Sequence, residues 1–109
     1  MLNDELRYQL TTCIVNAVHP SKIILFGSYA YGTVDGDSDL DLVVVEETFI
    51  SRTEEMRKVR KALVNIPISK DIIVCDEEYF DAHSTPDWVN TALYDARKKG
   101  IVIYEKGRD

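Results

Sequence analysis

The stretch "SDLDLVVVE" at residues 38–46 constrains this chain more than any other. Its apolar run reads as a β-strand buried in a sheet. Two aspartates interrupt the start of that strand. Side chains alternate along a strand, so Asp39 and Asp41 share one face while Leu40, Leu42 and Val44 share the other. Their Cα atoms stand ~6.7 Å apart at a rise of ~3.3 Å per residue. Two carboxylates facing one way repel, and each costs free energy to bury. Both stay ionised near neutral pH only where a cation lies beside them. An oxygen-only ligand set suits magnesium, with manganese as the alternative.

A third carboxylate follows at the head of another apolar run, "DIIVC", which Asp71 opens. If that strand lies beside the first, Asp71 joins Asp39 and Asp41. Three carboxylates from two strands suit two divalent ions about 3.5–4 Å apart, one serving the attacking oxygen and one the phosphates. Upstream, "FGS" ends an earlier strand. Gly27 allows close backbone approach to a ligand, and the Ser28 hydroxyl with backbone N–H groups suits an anionic phosphate.

The rest of the chain reads as a compact α/β framework. Residues 3–18 form a helix capped by Asn3, with Leu6, Leu10, Cys13, Ile14 and Ala17 on one face. A strand covers 22–27, and 28–32 form one helical turn closed by Gly32. The segment 33–37, with Asp35 and Asp37, is turn chemistry. Ser51 opens a capping box, and Met56, Val59, Leu63 and Ile66 mark the buried side of the helix that follows. The basic residues of that helix, Arg52, Arg57, Lys58, Arg60 and Lys61, read as a solvated face. A third strand spans 69–76, with a short helix or turn at 77–83. Thr85-Pro86 starts a helix that runs to Lys99, Gly100 ends it, and 101–105 form a last strand. Trp88 is expected in the core, and His19 and His83 at the surface or at helix ends.

At 109 residues the chain is expected to be a single domain, residues 1–109. Its net charge of −6 argues against a non-specific nucleic-acid binder, which needs a basic face. No apolar run approaches the ~20 residues that span a bilayer. The acidic N-terminus predicts no signal peptide. Cys13 and Cys75 lack metal-ligand spacing and read as buried thiols of a reduced, cytoplasmic protein.

Gly27-Ser28, ten residues, then Asp39-Leu40-Asp41 is similar to the G-S-x10-D-x-D signature of the polymerase β-like nucleotidyltransferase superfamily. Gly32 and the later Asp71 fit the same pattern, and "KKGIVIYE" resembles the helix-Gly-strand ending of its short members. The chain resembles a minimal nucleotidyltransferase (MNT) over nearly its whole length. That resemblance implies the polymerase β-like α/β (α+β) fold, a small mixed sheet with helices packed on it. It implies Gly27 and Ser28 as triphosphate binders, and Asp39, Asp41 and Asp71 as ligands of two Mg2+ ions. It makes Asp71 also the base for the incoming hydroxyl. The implied reaction moves a nucleoside monophosphate from ATP or another NTP to a hydroxyl, releasing pyrophosphate. It also resembles the antitoxins of HEPN–MNT toxin–antitoxin pairs, which implies a helical HEPN-type partner protein. Two alternatives are a binding subunit that acts by occlusion, and a small-molecule nucleotidyltransferase completed by a second subunit. The chain departs from the pattern at Tyr29 and Tyr31, where related short sequences often carry a basic residue. Both tyrosines read as core residues, with stacking on a base as the alternative. Lys22 and Lys70 are the nearest basic residues by sequence.

Overall fold

A computed structural model describes residues 3–32 and 38–107. The elements are α1 (Asp4–Ala17), β1 (Pro20–Phe26), α2 (Ser28–Tyr31), β2 (Leu40–Glu46), α3 (Arg52–Ala62), β3 (Lys70–Asp76), α4 (Glu77–Ala82), a 3₁₀ turn (Pro86–Trp88), α5 (Ala92–Lys99) and β4 (Ile101–Glu105). The strands form one sheet in the order β3-β2-β1-β4. β1 runs antiparallel to both β2 and β4, while β2 and β3 are parallel. A parallel pair needs a crossover connection, and α3 supplies it. The mixed sheet with packed helices is the expected architecture.

Each helix start has a local cause. Asn3 Oδ1 accepts from the Leu6 N–H at 2.8 Å, and Ser51 Oγ from the Glu54 N–H at 3.2 Å. The Glu54 carboxylate turns to Arg57. α1 buries Leu10 and Ile14, and Val59, Leu63 and Ile66 are buried along α3 and just beyond it. These residues cover the face of the sheet made by Ile23, Leu25, Leu40, Leu42, Val44, Ile72 and Val74. Phe80 of α4 and Leu93 and Ala96 of α5 cover the opposite face, made by Ile24, Val43, Val45 and Cys75. β2 is therefore buried on both sides, which is why "LVVV" does not alternate. Each fully buried branched side chain stabilises the fold by about 1.5–3 kcal/mol, so this strand is a rigid mount.

The structure corrects two expectations. The helix expected from Pro86 to Lys99 is broken. Only a 3₁₀ turn forms at Pro86–Trp88; Val89 is then extended and Asn90 takes a left-handed φ of 73°. Asparagine tolerates that conformation. Thr91 restarts the chain as α5, its hydroxyl donating to the Trp88 carbonyl at 2.7 Å and accepting from the Tyr94 N–H. Trp88 in turn is not in the core. It is 42% exposed, and its ring leans on His83, which stacks on Tyr79.

Candidate active site

Three topological facts bring the predicted residues to one edge of the sheet. β1 ends at Phe26, which pairs with Asp41 at the start of β2. β3 is parallel to β2 in a register that sets Asp71 directly beside Asp41. Asp39 stands one residue before β2, whose first N–H, on Leu40, donates to the Ser69 carbonyl at 2.8 Å. That bond ties the entry to β2 to the entry to β3, so the three aspartates come from one corner.

Gly27 closes this corner from above. Its φ of 73° lies in the region that favours glycine. A Cβ at Gly27 would stand 2.1 Å from Asp41 Oδ2. The carboxylate thus lies directly over the Gly27 backbone, a contact only glycine permits. From Gly27 the chain enters the single turn of α2, with the Ala30 and Tyr31 N–H groups donating to the Gly27 carbonyl at 3.0 and 3.1 Å. Gly32, at φ 84°, ends that turn. Thr33 to Asp37, and with them the turn expected at Asp35 and Asp37, lie outside the described residues.

The electrostatics are one-sided. Burial raises the Asp41 pKa most, followed by the charges of Asp71 and then Asp39. Every contribution pushes the same way, so a cation beside Asp41 would favour its ionised form. Neither lysine considered for the phosphate turn serves it. Lys70 Nζ donates to the Ile66 and Ile68 carbonyls at 2.6 and 2.8 Å. Lys22 sits toward the far end of β1, 3.6 Å from Glu105. The tyrosines divide: Tyr29 packs against the core, whereas Tyr31 is 47% exposed. Asp39 and Asp71 are exposed and Asp41 is half-buried. Among the described residues, no three His, Cys, Asp or Glu side chains are grouped closely enough to hold a metal ion. The three aspartates share one corner and one field without closing into a cage. The chemistry of the set, oxygen-only and anionic with one half-desolvated member, fits a hard divalent cation.

A family model described as a nucleotidyltransferase domain matches residues 10–100. The chain belongs to that family. No curated protein matches it. Among solved structures, this nucleotidyltransferase domain resembles a chain of a toxin–antitoxin complex with AMP-PNP (TM-score 0.61, 18% identity, 93% of this chain and 74% of that one). It also resembles a protein of Sulfolobus solfataricus assigned as a nucleotidyltransferase (0.58, 19%, 92% and 78%). A third neighbour comes from a complex of the tri-AMPylated Shewanella oneidensis HEPN toxin with its MNT antitoxin (0.50, 16%, 91% and 69%). At these identities the likeness is one of fold.

Other parts of the nucleotidyltransferase domain behave less dramatically. Arg57 pairs with Glu54 and Lys58 with Glu55, as a solvated helix face would. Arg52 differs, its Nε donating to the Val74 carbonyl at 2.8 Å and tying α3 to β3. Both cysteines are free. Cys75 is buried, and burial pushes its thiol up to about 12, whereas Cys13 is only half-buried. Among the described residues no helix is long and apolar enough to cross a membrane. Sequence reasoning passed over Glu46, which ends β2 buried. The signal was present: "LVVVE" carries an acid on the same side as Leu42 and Val44.

Proposed function

We propose that this domain is a metal-dependent nucleotidyltransferase that moves AMP from ATP to a hydroxyl on a helical HEPN-type partner, as the antitoxin of a toxin–antitoxin pair in the cytoplasm. The observation that carries the reading is the register setting Asp71 beside Asp41, with Gly27 against the Asp41 carboxylate. The toxin–antitoxin neighbours, one with a nucleotide analogue and one with an AMPylated toxin, support the choice of nucleotide and partner.

In this reading Asp39, Asp41 and Asp71 hold Mg2+, or Mn2+ in its place. Bound there, the ions neutralise phosphate charge and favour an ionised acceptor oxygen. Gly27 and Ser28 seat the triphosphate, whose phosphates approach the Ser28 hydroxyl and the first N–H groups of α2, which have no partner within the helix. Asp71, exposed at the rim, takes the proton of the acceptor hydroxyl. The acceptor oxygen bonds to the α-phosphorus as the bond to the β-phosphate oxygen breaks, and pyrophosphate leaves.

The test is transfer of label from α-labelled ATP to a HEPN-type helical protein, with Mg2+ present. Wild type should label the partner, and Asp41→Asn should lose at least about 100-fold in rate. No labelling by wild type, or equal labelling by a folded Asp41→Asn, overturns the reading. A second reading, neutralisation by occlusion alone, draws support from Lys22 and Lys70, both engaged away from the phosphate turn. It predicts that Asp41→Asn still silences the partner.

A further inference from the structure

Glu46 lies at the opposite end of β2 from Asp41. It is only 4% exposed, and its Oε2 has no hydrogen-bond partner. The two lysines that line the cleft beside it each pair with another acid. Lys58 Nζ is 3.2 Å from a Glu55 oxygen, and Lys106 is 3.7 Å from Glu47. Glu46 meets Glu55, the acid of α3 that hydrogen-bonds to it.

A cleft of 620 Å³ opens on this spot, lined by Glu46, Glu55 and Ser51 and by the apolar side chains of Phe49 and Ile50. Phe49 packs on the core, while Ile50 is fully exposed. A buried carboxylate oxygen without a donor marks a place where a donor is missing. Two carboxylates beside an apolar wall suit a planar, multi-donor cation on an aliphatic stem better than a compact ion.

We propose that this cleft receives an arginine side chain from a partner protein, its guanidinium on Glu46 and Glu55 and its stem along Phe49 and Ile50. Charge complementarity selects the partner, because this chain carries a net charge of −6 and a basic surface is what it attracts. Ile50 favours a protein over free arginine, since a lone amino acid would leave that side chain in water, whereas a protein surface would cover it. The proposal does not rest on nucleotidyl transfer.

The guanidinium pairs with the ionised Glu46 carboxylate, whose pKa burial raises to about 7. Binding therefore tightens as pH rises from 6 to 8. The charged and titratable groups facing Glu46 are His19, Glu47, Glu54, Glu55, Lys58 and Lys106.

NMR titration of the labelled full chain with N-acetyl-arginine-N-methylamide tests the proposal. Saturable shifts are expected at Glu46, Ile50, Ser51 and Glu55. They should weaken at least tenfold in Glu46→Gln, an isosteric variant. The norleucine analogue should give none. Absent shifts, equal shifts in a folded Glu46→Gln, or saturation by the norleucine analogue would each overturn the proposal. So would Mg2+ alone saturating the same resonances, or free arginine binding as tightly as the capped amide in a manner insensitive to Ile50→Ser.

Discussion

Asp41 and Glu46 stand five positions apart on one rigid strand and point to opposite faces of the sheet. Burial raises the pKa of both. The surroundings then differ. Around Asp41 the further influences are the carboxylates of Asp71 and Asp39, both of which raise it. Glu46, protonated, has Glu55 as a hydrogen-bond acceptor and an opposing lysine, Lys58, within its own fold. The fold thus supplies an opposing charge to Glu46 and only like charges to Asp41. In the proposed reading, one end of β2 takes a metal ion and the other a partner's arginine.

The most severe way to break this contrast is at Gly27. Alanine there puts a Cβ 2.1 Å from Asp41 Oδ2 and forces a φ of 73° on an L-residue. The backbone cost is about 1–3 kcal/mol, and the carboxylate must leave its position. Gly27→Ala should cut nucleotidyl transfer by about 100-fold or more while lowering thermal stability by several degrees. A variant with near-normal transfer would show that the Gly27–Asp41 contact does not position the reacting groups.

This contact also marks what the sequence could and could not disclose. The spacing of Gly27, Ser28, Asp39 and Asp41 was legible because a strand-turn-strand corner fixes it within one short segment. Asp71 was legible as an acid opening an apolar run, but its pairing with Asp41 depended on strand order, which the intervening chain hides. The single glycine contact needed coordinates. Lys22 and Lys70 were legible only as the nearest basic residues, because long flexible side chains take direction from neighbours, here Glu105 and the carbonyls of Ile66 and Ile68 beyond α3. Trp88 was misjudged because Asn90 and Thr91 stop and restart a helix whose apolar spacing looked continuous. Glu46 was overlooked because an acid ending a strand usually reaches solvent, and only the packing of α3 shows that this one does not.

Glu46 supplies the next largest effect. Its pKa is raised from an ordinary 4.5 to about 7, by burial first and Glu55 second. The folded state therefore holds a proton that the unfolded chain releases. The resulting stability is fully present below pH 4.5 and is lost as pH rises through about 7, up to about 3 kcal/mol in all. Glu46→Gln keeps the shape and removes the titration. Its stability should match wild type near pH 4 and exceed it by up to about 3 kcal/mol at pH 8, by urea unfolding. Asp41, raised in the same direction, remains in both proteins, so the difference between the two curves isolates Glu46. Parallel curves would mean that Glu46 stays charged in the fold.

The smallest effect sharpens the comparison most. Among the described residues, Lys58 is the cation that lowers the Glu46 pKa, and it does so while paired with Glu55. Lys58→Met removes that charge and keeps a comparable aliphatic stem. Stability should change by less than about 1 kcal/mol, because the ammonium is substantially exposed and solvent screens its pair. The Glu46 carboxyl resonance should nevertheless titrate at higher pH than in wild type. The midpoint of Asp41, at the other end of the strand, should not move, since a screened charge acts over roughly 10 Å or less in ordinary salt. If both midpoints moved together, the two ends of β2 would be one electrostatic system rather than two.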